Sequence, residues 1–292
     1  MIFLDVKRNK RRTMIIVFMF VLLVTLAIYF GSMLAFGPNP FFMIIALAFA
    51  SISAFIAYYN SDKIILRLNN ARPATREEDL QLKVILEGLC IATGMPKPRL
   101  YIIEDPALNA FATGRNPDNA VIAITTGLLA KLDKYELEAV MAHELAHIKN
   151  YDVLLQTIVT VMVGFVVILS DFTFRIMLTR NNSDGRAKLV ILAVGILFMI
   201  LAPIFLKLMQ LALSRRREYL ADATAVQITR NPGGLINALE KLTNDPTELK
   251  AACRSTASLY IVSPFKVKEK AAKMFATHPP IKDRVEAIRN IQ

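Results

Sequence analysis

Residues 134–150 read KYELEAVMAHELAHIKN, and this stretch decides how the rest of the chain is interpreted. It contains neither Gly nor Pro and is rich in good helix formers, so it predicts an α-helix. His143 and His147 are four residues apart, which places both imidazoles on one helix face, about one turn apart. Both can therefore bind one metal ion, and Zn²⁺ suits two neutral imidazoles completed by a carboxylate. Glu144 points about 100° away from His143, so it can reach a water molecule held by the metal without being a ligand on that face.

A chance match is a poor explanation of this HExxH motif, since the chain contains only three histidines and two of them lie within these five residues. A zinc site with an open coordination position needs a third protein ligand besides the histidine pair. No histidine follows His147 closely, so the motif in which a third histidine completes the site is excluded. A distant carboxylate is the next kind of ligand to consider.

Glu218 is the first candidate for this ligand, because it directly follows an apolar run and lies on a predicted helix. Asp222 lies four residues further on the same face, where it can accept a hydrogen bond from the outer N–H of a ligand histidine. Spacing alone leaves alternatives open. Glu138 and Asp152 lie close to the histidine helix, and Glu218 can instead be an exposed ion-pair partner of the arginines before it.

The segment before the histidine helix predicts one more helix and a small sheet. Residues 76–93 place apolar side chains at helical spacing and acidic residues in the first turn, as in an amphipathic helix. Residues 100–103 and 120–125 are short, apolar and β-branched, which predicts strands. Together with residues 109–112 between them, they predict a small antiparallel sheet.

Four long apolar runs predict helices in a membrane, since about 20 residues of helix cross a hydrocarbon core. Residues 13–36 and 41–59 are uncharged and are joined by the turn-forming sequence GPNP at 37–40, which predicts a transmembrane hairpin. The runs at 153–170 and 189–206 are each about 18 residues long, at the lower limit for a span. They predict a second hairpin, which either crosses the membrane or lies at its interface.

The positions of lysine and arginine predict the orientation, since basic residues near spans stay on the cytoplasmic side. Five basic residues precede the first run, and none lies in the loop after it. The loop between the third and fourth runs conflicts with this pattern, because it carries four basic residues between 175 and 188. We therefore expect the water-facing parts of the chain in the cytoplasm, and full crossing by the second hairpin stays open.

Composition agrees with a membrane protein. Of the 292 residues, 54% are hydrophobic and only 20% are charged, which excludes a disordered chain and is unusual for a soluble domain. The formal net charge of +11, beside so much apolar sequence, favours a membrane surface over nucleic acid as the partner. Two cysteines are too few for a disulfide scaffold or a zinc finger.

The order of these motifs resembles the HtpX heat-shock proteases, membrane-bound zinc metallopeptidases of the family that also holds the CAAX prenyl proteases. The resemblance rests on HExxH followed by Asn150 and Asp152, a hydrophobic hairpin, and the ExxxD pattern of Glu218 and Asp222. It extends from the N-terminal hairpin to a His-Pro-Pro…Arg segment near the C-terminus. It implies Glu218 as the third zinc ligand and Asp222 as the carboxylate that supports the site from behind.

The resemblance also implies roles for residues that carry little information alone. Asn109, Ala110 and Phe111 are similar to the family's edge-strand segment, which would pair with an extended substrate; the alternative is an ordinary strand. His278 and Arg284 match a pair that would donate to the substrate carbonyl oxygen as negative charge develops on it. Without the resemblance, His278 would be interpreted as a surface or capping histidine.

We thus expect a mainly α membrane protein, with transmembrane helices and an α+β zincin-like metalloprotease domain. The expected parts are a transmembrane hairpin (1–60), a first protease segment (61–152), a second hydrophobic hairpin (153–213) and a second protease segment (214–292). The expected function is a zinc endopeptidase of the plasma membrane, with one Zn²⁺ per chain. It would act in the cytoplasm on extended, damaged or misfolded proteins and bind lipid but no nucleic acid.

Two other functions stay open. An intramembrane protease of the site-2 type also uses HExxH, but the polar residues around His143 and His147 disfavour a lipid-buried helix. A non-catalytic adaptor that keeps zinc for stability alone would not need Glu144, since a closed structural site fills its fourth position with a protein ligand.

Overall fold

The computed structural model describes residues 2–179, 215–253, 255–264 and 279–291. The helices in these ranges are α1 (Ile2–Phe36), α2 (Pro40–Leu68), α3 (Arg76–Thr93), α4 (Thr126–Lys131), α5 (Lys134–Lys149), α6 (Asp152–Thr179), α7 (Arg215–Thr229), α8 (Pro232–Asn244) and α9 (Ile281–Arg289). The strands are β1 (Ala71–Pro73), β2 (Arg99–Ile103), β3 (Ala110–Thr113) and β4 (Val121–Thr125). The predicted class, a mainly helical protein with a small sheet, is confirmed.

Helices α1 and α2 form the predicted N-terminal hairpin. Gly37 takes the left-handed φ of +81° that the turn requires, and the side chain of Asn39 caps α2 by accepting from the backbone N–H of Phe41 at 2.9 Å. Both helices are long and apolar enough to cross a membrane, over Val6–Met33 and Pro40–Leu68. Helix α2 continues past the predicted boundary at residue 60, so the hairpin runs without a break into the water-facing part.

Helix α6 contains the third apolar run and packs along α1. The rings of Phe20 and Phe165 are 5.8 Å apart, while Asn9, near the start of α1, contacts the first residue of α6. The two helices therefore run in the same direction from the same end. The fourth apolar run lies outside the described residues, so crossing by the second hairpin stays a prediction.

The sheet is mixed, which corrects the prediction of an antiparallel sheet. Its strand order is β1-β2-β4-β3; β1 pairs with β2, and β3 with β4, in antiparallel fashion, but β2 and β4 are parallel. The chain alternates in direction from β2 through β3 to β4. Because β4 inserts between β2 and β3 instead of joining the outer edge, its neighbour β2 runs the same way.

Helix α5 lies at the centre of the water-facing part, where it packs against α3, β3, α7 and α8. Its residues from Ala139 to Ile148 are all buried. Leu82 and Leu86 of α3 and Leu145 of α5 are fully buried in one core with Ile122 and Ile124 of β4. The helix that carries the histidines is therefore held on several sides, which fixes the direction of its side chains.

Candidate metal centre

The start of α5 is fixed by a reciprocal capping box. The side chain of Asp133 accepts from the backbone N–H groups of Tyr135 and Glu136, and Glu136 accepts from the backbone N–H of Asp133 at 2.8 Å. The side chain of Glu136 also accepts a hydrogen bond from Nζ of Lys241, on α8, at 2.7 Å. The helix therefore begins at a defined residue, and His143 and His147 lie two and three turns further on.

Three metal-binding side chains converge at the predicted position. Nε2 of His143 and Nε2 of His147 are 3.2 Å apart, and the carboxylate oxygens of Glu218 lie 3.6 Å from His147 and 3.8 Å from His143. All three are buried, and their ligand atoms lie within 4.8 Å of one another. In tetrahedral zinc coordination, bonds of about 2.0–2.1 Å place neighbouring ligand atoms about 3.3 Å apart. The spacing fits such an ion after a small closing movement of Glu218.

His143 is held from behind by a carboxylate and an arginine. Nδ1 of His143 lies 2.9 Å from Oδ1 of Asp222, one turn after Glu218 on α7. Arg284 of α9 donates two hydrogen bonds to Asp222, from Nε at 2.8 Å and from Nη2 at 2.6 Å. Burial alone would raise the pKa of Asp222, but the charge and hydrogen bonds of Arg284 outweigh it and keep that pKa below its usual value.

His147 is held by a different carboxylate. Nδ1 of His147 lies 3.3 Å from Oδ2 of Asp152, the first residue of α6. Oδ1 of Asp152 accepts from Arg217 of α7 at 3.0 Å and from Asn9 of α1 at 2.8 Å. Tyr151 between the two helices takes a left-handed φ of +57°, which turns the chain so that Asp152 lies behind the histidine.

The hydrogen bonds of the two histidines to Asp222 and Asp152 also make the site suitable for a cation. If each histidine donates its Nδ1–H to its carboxylate, both Nε2 atoms present lone pairs towards each other at 3.2 Å. Two such lone pairs repel at this distance, and either a proton or a metal ion between them removes the repulsion. The residues of this centre therefore fit a bound Zn²⁺.

In the metal-free protein the pKa values of the two histidines are shifted in opposite directions from their ordinary value. Burial lowers the pKa of His143 to about 4, despite the nearby Asp222. Burial also acts to lower the pKa of His147, but the hydrogen bond to Asp152 and the charges of Glu218, Asp152 and Glu144 outweigh it and raise that pKa to about 9. A metal ion that binds at neutral pH therefore displaces a proton from His147.

Glu144 is buried beside the ligands. Its side chain has 3% of its surface exposed, and its charge contributes to raising the pKa values of both His147 and Arg284. Glu144 is therefore close enough to act electrostatically on His147 and Arg284, and it is not one of the three converging groups. Glu138, an alternative ligand in the sequence analysis, is half-buried and does not belong to the converging group.

Arg284 lies in the centre, with Nη2 3.5 Å from both Nδ1 and Nε2 of His143. It is fully buried, is bound to Asp222, and has Nη1 3.3 Å from the carbonyl oxygen of Ile261 and 3.6 Å from Glu218. These contacts hold Asp222 and approach Glu218, and the predicted role of Arg284 as a donor to the substrate carbonyl oxygen stays a prediction. His278, its predicted partner, lies outside the described residues.

The predicted substrate-binding segment is an edge strand, as expected, and part of its outer edge is occupied by the chain itself. The backbone N–H of Ile261 donates to the carbonyl oxygen of Ala110 at 3.0 Å, and the side chain of Asn109 donates to the carbonyl oxygen of Val262 at 2.9 Å. Phe111 is fully buried against Tyr260, with ring centroids 5.0 Å apart.

Two supporting residues were not predicted in the roles that the structure gives them. Asp152 was considered only as an alternative ligand, whereas it lies behind His147; its position directly after the histidine helix was the available signal. Asn9 lies in the basic segment before the first apolar run, and this segment predicted only the orientation in the membrane. The role of Asn9 could not be predicted, because a contact between residues 141 or more apart leaves no local pattern.

Comparisons with known proteins agree with this geometry. The model of "Peptidase family M48" matches residues 76–292. A "Protease HtpX homolog" from Dictyoglomus thermophilum is 43% identical over 284 residues, covering 97% of this chain and 93% of its own, and one from Listeria monocytogenes is 39% identical over the whole of both chains. In fold, this chain is similar to the crystal structure of S. mikatae Ste24p, with a TM-score of 0.53, 21% identity, and coverage of 85% of this chain and 58% of the other.

Proposed function

This chain belongs to peptidase family M48, and on that premise we propose that it is a membrane-anchored zinc endopeptidase with its active site in the cytoplasm. The observation that carries the proposal is the convergence of His143, His147 and Glu218, with Glu144 buried beside them. Three protein ligands leave one coordination position for water or substrate, as in catalytic zinc sites. One Zn²⁺ per chain is expected.

The chain's own residues divide the work of peptide hydrolysis. When bound, zinc supplies a Lewis acid that polarises the scissile carbonyl and lowers the pKa of water. Glu144 accepts the proton of the attacking water and passes it to the leaving amine. Asp222 and Asp152 keep the two histidines in the tautomer whose Nε2 faces the metal. Arg284 balances the charge of Asp222 and keeps that carboxylate ionised.

The packing of α1 and α6 supports the orientation. Both helices begin at the end where the metal centre lies, since Asn9 and Asp152 are in contact there. The basic residues before the first apolar run lie at this same end and belong in the cytoplasm by the positive-inside rule. The active site is then on the cytoplasmic side, and a reporter fused after Asp184 tests whether the second hairpin crosses.

Substrates of this enzyme would be extended segments of damaged or misfolded proteins, as the resemblance to heat-shock proteases implies. Such a segment can add to the outer edge of β3, where backbone hydrogen bonds bind without strong side-chain preference. Ile261 and Val262 occupy this edge at Asn109 and Ala110. A substrate strand therefore pairs with Ala110 only after this segment has moved away.

The decisive experiment replaces the proposed base. Glu144→Gln should retain one zinc per chain and the wild-type melting temperature, while cleavage of casein by the full chain in detergent falls by about 10²–10⁴-fold. Glu138→Gln, on the same helix but outside the converging group, is the matched control and should cleave like the wild type. Cleavage by Glu144→Gln at the wild-type rate, or unchanged cleavage after zinc is chelated, would refute the proposed mechanism.

A further inference from the structure

Asn9 is a buried polar residue on the first membrane helix. It is 1% exposed and lies one turn before the uncharged run of α1 begins. Further along α1, Ile16, Phe20 and Val24 belong to an apolar cluster that also contains residues of α6. Burying a primary amide among such contacts costs free energy unless its hydrogen bonds are made, so its partners indicate why it is there.

Both amide hydrogens of Asn9 go to the junction that follows the histidine helix. Nδ2 donates to the carbonyl oxygen of Asn150, the C-cap residue of α5, at 3.0 Å. It also donates to Oδ1 of Asp152 at 2.8 Å. The other oxygen of Asp152 lies 3.3 Å from Nδ1 of His147. A single side chain of α1 therefore fixes both the end of α5 and the carboxylate behind a proposed zinc ligand.

The hydrogen bond of Asn9 also determines which oxygen of Asp152 is available to the histidine. Oδ1 accepts from Asn9 and from Arg217 on opposite elements, which holds the carboxylate plane between α1 and α7. Oδ2 is thereby left facing His147. If the amide were lost, Arg217 would be the one remaining partner of Oδ1 among the described residues, and the carboxylate could then rotate about its Cβ–Cγ bond.

We propose that Asn9 is a positioning residue of the metal centre, which acts on His147 through Asp152 and makes the first membrane helix part of the zinc site. The proposal rests on the proposed zinc peptidase function. It assigns to α1 a role beyond anchoring, because the helix that enters the membrane also sets the orientation of a metal ligand. Asn9 does not touch the metal or the substrate.

The test measures zinc affinity of the full chain in detergent by competition with a chromophoric chelator. Asn9→Leu keeps the buried volume but removes both donors, and we expect zinc affinity to fall about three- to tenfold, less than the 10–100-fold typical of a direct partner of a ligand. Thr13→Val is the matched control. Thr13 is equally buried one turn further along α1, its hydroxyl bonds only the carbonyl oxygen of Asn9 among the described residues, and its loss should change affinity less than twofold.

A double-mutant cycle separates this role from a merely structural one. In the Asp152→Ala background, Asn9→Leu should no longer change zinc affinity, since the group through which it acts is gone. Affinity within twofold of the wild type for Asn9→Leu, or the same loss with and without Asp152, would overturn the proposal. Should Asn9→Leu fail to fold, Asn9→Ala removes the same donors without needing additional room. Absence of zinc binding by the wild type would instead refute the zinc site itself.

Discussion

The two histidines of the metal centre are supported by different parts of the molecule. Among the described residues, His143 is supported by helices that follow the apolar runs, through Asp222 on α7 and Arg284 on α9. His147 is supported from the membrane side, through Asp152 on α6 and Asn9 on α1. One half of the site is thus built within the protease domain, and the other half where the chain enters the membrane helices.

The two supports also differ in charge. Asp222 is neutralised by two hydrogen bonds from a fully buried arginine, and burial then keeps His143 neutral. Asp152 receives one bond from Arg217 and one from the neutral amide of Asn9, and the charges of Glu218 and Glu144 add to its own in raising the pKa of His147. The difference teaches that the two supports shift the histidines oppositely: in the metal-free protein the pKa of His143 is lowered and that of His147 is raised.

The largest expected effect comes from removing the cation on the His143 side. Arg284→Met leaves the Asp222 carboxylate buried without its counter-charge, which should destabilise the metal-free protein by about 3–5 kcal/mol. Thermal unfolding followed by circular dichroism measures this. Arg289→Met on the same helix removes an arginine that is 63% exposed and forms a surface ion pair with Glu240 at 3.5 Å. This variant should lose less than about 1 kcal/mol of stability. Equal melting temperatures for the two variants would contradict the dependence of the buried Asp222 on the charge of Arg284.

The next effect compares the two carboxylates directly. Asp222→Asn and Asp152→Asn should each weaken zinc binding by about 10–100-fold, because each removes the acceptor that fixes a ligand histidine. The loss should be greater for Asp222→Asn, since its distance to histidine is 2.9 Å against 3.3 Å for Asp152. Chelator competition on both variants checks the order; a greater loss for Asp152→Asn would show that the membrane side is the stronger support.

A third expected effect is the pH dependence of zinc affinity that results from the protonation of His147. Its pKa is raised from 6.5 to about 9 in the metal-free protein, so zinc must displace one proton below that pH. Apparent zinc affinity should therefore rise about tenfold per pH unit between pH 7 and 8 and level off above about 9. The same shift stabilises the metal-free fold fully below pH 6.5, and this contribution is lost as the pH rises through about 9.

In Asp152→Asn the negative charge that raises the pKa of His147 is partly removed. The pH dependence of zinc affinity should then level off at a lower pH than in the wild type. Titrating zinc at several pH values in both proteins measures the shift, and identical profiles would show that Asp152 does not hold the proton on His147.

The sequence predicted the features that arise from residues close together in the chain, and it predicted less well those that depend on contacts between distant segments. The HExxH spacing follows from helix geometry, so His143, His147 and Glu144 could be placed from one turn of chain. The bounds of α3 were predicted as observed, because its capping residues and apolar spacing are local. Glu218 and Asp222 were identified as a pair on one face, but only the packing of α7 against α5 brings them to the histidines.

Features that depend on tertiary arrangement could not be predicted in the same way. The parallel pairing of β2 with β4 arises because β4 inserts between two strands that precede it, and no local signal marks an insertion. The contact of Asn9 with Asp152 joins residues 143 apart in the chain. The asparagine at position 9 is informative only when its burial is known, since an asparagine in a basic segment is otherwise expected to be exposed to solvent.

The smallest expected effect tests whether the membrane side acts through Asn9 alone. The neighbouring Lys10 is exposed, and its Nζ lies 4.2 Å from the ring centroid of Tyr151, so it also contacts the junction between α5 and α6. Lys10→Ala should cost at most about 0.5–1 kcal/mol of stability, as expected of an exposed cation–π contact, and should leave zinc affinity within twofold of the wild type. If it weakened zinc binding as much as Asn9→Leu, α1 would act by general docking against the junction. The difference between the two sides of the centre would then lie in packing and not in a hydrogen bond to Asp152.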